Sequence, residues 1–167
     1  MAMNFMRKIN WYYSSFMIVL LFSSAFTIVD APERFCNGRY NFCVTYPAEV
    51  FSDQELSPNN DGVFMTSSDR DVEMRVTGYY NVMGWTLEDE YTEILETIQT
   101  ESRDQIKSAK PTFSEGEMSA VIEMDVLSTY IQIVEQGDHF VSLIIVTNRQ
   151  GLNRETHRIN SLISKIN

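Results

Sequence analysis

The sequence predicts an α+β domain in which helices cover one antiparallel sheet of about six strands, in the order βββαβββα. Three observations support this fold class. Six segments are predicted to be strands, and in most of them apolar and polar residues alternate with a period of two, which is typical of half-buried strands. Two further segments carry apolar residues at helical spacing. Neighbouring strands are joined by short connections, which favours antiparallel pairing.

The N-terminus has the three-part pattern of a secretory signal peptide, predicted over residues 1–25. Two basic residues precede an apolar run at 16–22, and small residues at 23–25 suit a cleavage site. The alternative is an uncleaved N-terminal anchor, because the apolar character continues beyond this site. In both cases a single α+β domain, predicted over residues 36–167, is expected outside the cytoplasm, periplasmic or secreted.

Three strands are predicted before the first helix, at residues 40–46, 63–66 and 72–80. The alternating apolar positions of the first strand are Tyr40, Phe42, Val44 and Tyr46. Residues 30–34 are expected to be a short lead-in, and residues 52–62 (SDQELSPNNDG) a polar loop that ends in a turn.

Cys36 and Cys43 are the two cysteines of the chain, and outside the cytoplasm such a pair is expected to form a disulfide. Free buried thiols, or a metal or redox pair, are the alternatives. Asn37 and Gly38 favour a tight two-residue turn, which would place the cysteines about 13 Å apart. A disulfide needs Cα atoms within about 7 Å. The prediction is therefore a disulfide closed by a wider loop over residues 37–42.

The first helix is predicted to begin after Thr86, which is suited to cap it, with acidic residues in the first turn. Its apolar stripe contains Leu87, Tyr91, Ile94, Leu95 and Ile98. Its opposite face is acidic and contains Glu88, Glu93, Glu96 and Glu101. The helix is expected to end near residues 102–106, before a polar connection closed by Pro111.

Three strands are predicted after this helix, at residues 118–126, 130–134 and 140–146. The last has an almost unbroken apolar run, which is typical of a central strand covered on both faces. Residues 136–138 (QGD) are expected to form the turn that precedes it. A final helix, capped by Asn153, is predicted to bury Ile159, Leu162, Ile163 and Ile166.

The run CNGRYNFCVTYP, followed by NNDGVFMTS and VEMRVTG, resembles the start of small exported domains related in fold to the PsbP protein of photosystem II and to the bacterial DcrB-type proteins. The resemblance covers about residues 36–166. It implies an α/β/α sandwich around an antiparallel sheet. It also implies mostly non-catalytic roles, such as accessory subunits and chaperone-like adaptors. No functional residue carries over from these families to a matching motif.

The formal charge of −10 restricts the classes of partner. Removal of residues 1–25 would make the chain more acidic still, because that segment contains two basic residues and no acidic one. Such a chain repels phosphate backbones and anionic lipid, so neither nucleic-acid binding nor membrane binding is expected, except through an uncleaved N-terminal segment. A basic protein partner fits this charge.

The sequence predicts no catalytic, cofactor or metal site. No G-x-S-x-G frames a serine, and His139 and His157 have no paired spacing for a metal. Oxygen ligands for calcium occur in two loops, at residues 59–61 and at Asp69 and Asp71, but their spacing does not fit an EF-hand. Turn formation explains them better.

The predicted partner-binding residues are Tyr79, Tyr80, Trp85, Glu88, Glu93 and Glu96. Aromatic residues beside glycines, between a strand and a helix, are suited to anchor a partner. The function expected is that of an exported, non-catalytic interaction module, such as an immunity, inhibitor or accessory protein of the envelope. The alternatives are a small-molecule-binding accessory module and a small envelope hydrolase that uses His139.

Overall fold

A computed structural model describes residues 33–102 and 104–148 of the protein. Within these two ranges, five strands precede a helix and four follow it. The first five strands are β1 (Glu33–Asn37), β2 (Phe42–Tyr46), β3 (Phe51–Leu56), β4 (Gly62–Ser67) and β5 (Val72–Tyr80). The helix and the later strands are α1 (Leu87–Glu101), β6 (Ile106–Ser114), β7 (Glu117–Met124), β8 (Leu127–Gln136) and β9 (His139–Asn148).

Seven of these strands form one antiparallel sheet in the order β3-β4-β5-β9-β8-β7-β6. Strand β9 lies in the middle of this order, as the long apolar run at residues 140–146 predicts. Its alternate side chains enter different cores: Val141, Leu143 and Ile145 lie in one, and Phe140 and Ile144 in the other. Burial on both faces explains why this strand lacks a polar alternation.

A separate two-stranded hairpin, β1-β2, contributes to the core on one face of the sheet. The alternating positions from residue 40 to residue 46, in β2 and the loop before it, are buried there against side chains of β4, β5 and β9. Those hairpin residues are Tyr40, Phe42, Val44 and Tyr46. The aromatic pattern of this segment was therefore a reliable indication of its buried face.

Helix α1 packs on the opposite face, mainly against β7. The predicted apolar stripe is the packed one, since all five of its residues belong to this second core. Thr86 caps the helix: its hydroxyl accepts the Asp89 N–H, and the Asp89 carboxylate accepts the Thr86 N–H. This reciprocal pair satisfies donors that the first turn leaves without partners.

The disulfide prediction is confirmed. Cys36 and Cys43 are direct partners in the β1-β2 register, with Cα atoms 4.1 Å apart, and they are bonded. Residues 38–41 form the wider loop. The Asn37 carboxamide oxygen accepts the N–H groups of Arg39 and Tyr40, so Asn37 organises this loop instead of a two-residue turn.

The predicted fold class is wrong. The described residues form a mostly β structure, with a seven-stranded sheet, a hairpin and a single helix, and not a six-stranded α/β/α sandwich. The six predicted strands correspond to β2, β4, β5, β7, β8 and β9. Three strands were missed: β1 in the expected lead-in, β3 in the expected polar loop and β6 in the connection around Pro111.

Two of the three missed strands, β3 and β6, share a physical property. In the described part of the sheet β3 and β6 are the two edges, and most of their side chains are exposed. An exposed edge strand needs no buried face, so it shows little apolar alternation. The expected signal peptide (1–25) and final helix (153–167) lie outside the described residues, and no helix within these is long and apolar enough to cross a membrane.

Candidate functional site

The loop between β5 and α1, residues 81–86, is held by the side chain of Asn81. The Asn81 amide donates to the Trp85 carbonyl oxygen and accepts the Trp85 N–H, both at 2.8 Å. The Asn81 N–H donates to the carbonyl oxygen of Asp138, which ties the loop to the β8-β9 turn. Gly84 completes the loop with a φ of +67°, a conformation that glycine adopts without strain. The β5-α1 loop is therefore fixed at both ends.

Two apolar side chains project from this loop into solvent. Val82 is 85% exposed and Met83 is 69% exposed. Neither belongs to a hydrophobic core of the domain. Two adjacent exposed apolar side chains on a loop of defined conformation are suited to contact a partner.

The structure separates the aromatic residues that the sequence grouped together. Tyr79 and Tyr80 are consecutive in β5, so their side chains point to opposite faces of the sheet. Tyr79 and Trp85 are half-buried and pack with the helix-side core, whereas Tyr80 is 44% exposed on the hairpin side. The partner-binding role of these residues stays a prediction.

On the hairpin side, Tyr80 forms a cluster with Tyr40 and His139. The Tyr40 and Tyr80 ring centres are 5.2 Å apart, and those of Tyr40 and His139 are 5.8 Å apart. The Arg39 guanidinium lies over both tyrosine rings, 5.0 Å from the centre of Tyr40 and 5.8 Å from that of Tyr80. These contacts are within the range of cation–π attraction. They connect the disulfide-bonded hairpin to the end of the sheet.

Gly78 makes this docking possible. A Cβ atom at Gly78 would lie 2.4 Å from Cγ of Tyr40, far inside van der Waals contact. The Tyr40 ring therefore rests directly on the backbone of β5.

On the helix side, Tyr79 and Glu90 form a buried hydrogen-bonded pair. The Tyr79 hydroxyl donates to Oε1 of Glu90 at 2.5 Å. Glu90 is only 7% exposed, and burial raises its pKa against the opposing effect of this hydrogen bond. Burial, and then the bond to Glu90, raise the pKa of Tyr79 well above its usual value, so the phenol stays protonated.

Glu90 was not among the predicted site residues. The sequence pattern indicates only that Glu90 is one of the acidic residues in the first turn of the helix. Its position was available in the sequence, however, because it lies three residues after Leu87 and four before Ile94, inside the apolar stripe. The exposed side chains Val82 and Met83 were also missed, since nothing local distinguishes an exposed apolar loop residue from a buried one.

Two surface cavities border these clusters. One, of about 190 Å³, lies beside the β5-α1 loop and is lined by Tyr79, Trp85, Glu90 and Phe140, with Val82 and Met83 among its other lining residues. We call it the helix-side cavity. The other, of about 290 Å³, lies between the hairpin and the β3-β4 turn, and Cys36, Arg39 and Leu56 line part of it. Both are smaller than the range of about 300–1,000 Å³ typical of pockets for drug-sized ligands.

The predicted acidic residues Glu88, Glu93 and Glu96 are exposed on α1. Because the helix begins directly after the β5-α1 loop, this acidic face starts beside the loop and extends along the helix for about 12 Å. Exposed carboxylates here can attract a basic partner and orient its approach.

His139 does not have the contacts of a catalytic base. Its Nε2 lies 3.0 Å from the carbonyl oxygen of Tyr40, and its Nδ1 lies 3.0 Å from the carboxylate of Asp138. Neither nitrogen is directed at a hydroxyl within the described residues, whereas a triad histidine must contact its nucleophile.

The loop residues considered for calcium binding form turns. Oδ1 of Asp61 accepts the Ser57 hydroxyl, and Oδ1 of Asp69 accepts the Ser67 hydroxyl. Oδ1 of Asp71 accepts the Asn148 amide. Among residues 33–102 and 104–148, no three His, Cys, Asp or Glu side chains are grouped so as to hold a metal ion.

These features define a class of fold: an antiparallel sheet with a disulfide-bonded hairpin on one face and a helix on the other. No family model and no curated protein matches the sequence. Among solved structures, that of cyanobacterial PsbP (CyanoP) from Synechocystis sp. PCC 6803 is similar, with a TM-score of 0.61. The two sequences are 10% identical, and the match covers 87% of this chain and 96% of that chain.

The protein therefore has a PsbP-like fold, and the predicted resemblance in fold is confirmed. A crystal structure from Bacteroides thetaiotaomicron VPI-5482 matches more weakly, with a TM-score of 0.45 and 11% identity, over 81% of this chain and 47% of that chain. That overlap is too low to bear on the fold.

Proposed function

We propose that the protein is an exported, non-catalytic interaction module of the accessory or inhibitor type, which contacts a protein partner through the β5-α1 loop and the adjacent acidic face of α1. The observation that supports this proposal best is the pair Val82 and Met83, exposed side by side on a loop that Asn81 holds in place. Because the backbone of this loop is already held in one conformation, no further loop ordering opposes binding when a partner covers these side chains.

The surroundings of the loop support the same surface. Tyr80 is partly exposed next to it, and the carboxylates of Glu88, Glu93 and Glu96 follow it along α1. An apolar centre beside a charged border is the usual composition of a protein–protein interface. The charge of −10 favours a basic partner, one version of which is an effector neutralised by an immunity protein.

The extracytoplasmic location is part of the proposal. The disulfide between Cys36 and Cys43 fits an oxidising compartment, and the N-terminal sequence pattern fits export. The PsbP-like fold fits an accessory role.

The test is affinity capture from an envelope extract of the source cells at low and high salt. The wild type is compared with the double variant Val82→Asp/Met83→Asp. Val126→Asp is the matched control, because Val126 is 58% exposed at the opposite end of the sheet. A basic protein retained by the wild type and the control at low salt, and lost by the double variant, is the expected result. Identical retention by all three proteins would refute this use of the loop.

The contribution of the acidic face is tested separately. The triple variant Glu88→Gln/Glu93→Gln/Glu96→Gln is expected to weaken capture at low salt and to reduce its salt dependence, since exposed charges act mainly on association and are screened by ions. Unchanged salt dependence in this variant would exclude the acidic face from the interface.

A further inference from the structure

Glu90 is a buried carboxylate without a cationic partner in the described part of the chain. The ion pairs there join Lys107 to Asp125 and His139 to Asp138. The Glu90 carboxylate accepts a hydrogen bond from the Tyr79 hydroxyl, at Oε1. A carboxylate buried without a cation is costly and is normally neutralised or paired. Its position therefore needs an explanation beyond the packing of α1.

The walls of the helix-side cavity complement a cation. Its lining residues include the aromatic residues Tyr79, Trp85 and Phe140 together with Glu90. Aromatic faces attract organic cations through their quadrupole, and a carboxylate among them adds a full negative charge. With a volume of about 190 Å³, the cavity suits the end of one side chain better than a whole ligand.

We propose that the helix-side cavity receives the alkylammonium end of a lysine side chain from the partner protein. This inference rests on the proposed function, because the exposed pair Val82 and Met83 belongs to the same cavity. The alkyl part of the lysine would lie against these two side chains, and the ammonium would reach Glu90.

The geometry favours an ammonium over a guanidinium. Arginine binds a carboxylate best through two parallel hydrogen bonds that use both oxygens. Here Oε1 of Glu90 already accepts the Tyr79 hydroxyl, which leaves Oε2 for a ligand. The ammonium group of lysine is a compact point charge, so it can bind through a single carboxylate oxygen. A tyrosine hydroxyl is protonated at neutral pH and burial raises the pKa of Tyr79 further, so its O–H continues to occupy Oε1 of Glu90.

The first experiment is a titration of the full-length protein with n-butylammonium chloride. It is followed by NMR through the Met83 methyl and Trp85 indole signals, at constant ionic strength. The neutral isostere n-butanol and the cation n-butylguanidinium are titrated in the same way for comparison. We expect saturable shifts with n-butylammonium, in the range of about millimolar, and weaker binding of both other probes.

Two variants test whether the negative charge that binds n-butylammonium is that of Glu90. Glu90→Gln retains an acceptor for Tyr79 but removes the charge, and it is expected to weaken n-butylammonium binding by about tenfold or more. Glu123→Gln removes the same charge from an exposed position on β7, outside the proposed interface, and is expected to bind as the wild type does. Equal binding by Glu90→Gln, or equal shifts with n-butanol, would overturn the inference.

The two proposals fail in different ways. If partner capture depends on Val82 and Met83 but is unaffected by Glu90→Gln, the interaction surface stands and the lysine pocket is refuted. If n-butylammonium binds through Glu90 but the loop variants capture the same proteins as the wild type, cation recognition stands and the proposed function is refuted.

Discussion

The replacement Gly78→Ala tests whether the docking of the hairpin on the sheet stabilises the protein. The new Cβ would lie 2.4 Å from Cγ and 2.5 Å from Cβ of Tyr40. These atoms are at the base of the side chain, so no rotamer change relieves the contact, and the hairpin itself must shift. Overpacking of this kind typically costs about 1–3 kcal/mol.

A smaller effect opposes this cost. Alanine is favoured over glycine inside a strand by roughly 0.5–1 kcal/mol, because glycine loses more conformational entropy. The net expectation for Gly78→Ala is a loss of about 1–2 kcal/mol in the free energy of unfolding, measured by urea denaturation. Gly38→Ala, in the loop of the same hairpin, is the matched control, since an added Cβ there meets nothing within 4 Å. Its effect should stay within about 0.5 kcal/mol.

A double-mutant cycle isolates the contact between Gly78 and Tyr40. Tyr40→Ala alone is expected to cost about 3–5 kcal/mol, as for other large buried aromatic residues. In that background Gly78→Ala should be neutral or stabilising, because the ring it would meet is gone. An equal cost of Gly78→Ala in both backgrounds, or a cost no larger than that of Gly38→Ala, would refute the reasoning.

Three further predictions concern the disulfide and two buried tyrosines. The variant Cys36→Ser/Cys43→Ser is expected to lose about 2–3 kcal/mol in urea denaturation, because the bridge closes a short loop in the unfolded chain. Burial, then the hydrogen bond and charge of a neighbouring glutamate, raise the pKa of Tyr46 to about 12. Its contribution to stability is therefore present below pH 10 and is lost as pH rises towards 12, a loss that Tyr46→Phe should reduce. Tyr79→Phe is expected to cost about 1–3 kcal/mol at pH 7, because Glu90 then loses its donor, whereas Glu90→Gln should not destabilise.

Each of these three predictions has its own control experiment. Reduction of the wild type should reproduce the loss seen in the cysteine variant. A decline from pH 10 to 12 that is identical in Tyr46→Phe would mean that other groups control alkaline unfolding. For the buried pair, a larger loss in Glu90→Gln than in Tyr79→Phe would show that the charge of Glu90 stabilises the domain. The raised pKa of Glu90 predicts the opposite, since its ionised form is disfavoured by folding.

The local periodicity of apolar residues predicts much of the secondary structure of this protein. The helix and six strands were predicted from the spacing of apolar residues, because a side chain that must reach the core recurs at the period of its own backbone. The Thr86 cap and the disulfide loop were likewise evident, since each depends on residues close together in the chain. The prediction of a basic partner likewise comes from the sequence alone, through the formal charge of −10.

The tertiary structure alone decided the features that depend on neighbours distant in the chain. Strands β3 and β6 exist because β4 and β7 offer them hydrogen bonds, and a strand at a sheet edge needs no apolar alternation of its own. Which face a helix covers, and which face a hairpin covers, was also beyond the local pattern. The local pattern also could not show the surroundings of Tyr79 and Tyr80, whose side chains lie on opposite faces of the sheet. Nor could it show those of Glu90, which lies beside the β5-α1 loop and strand β9. Periodicity predicts that a side chain is buried, but only the tertiary structure shows which residues it packs against.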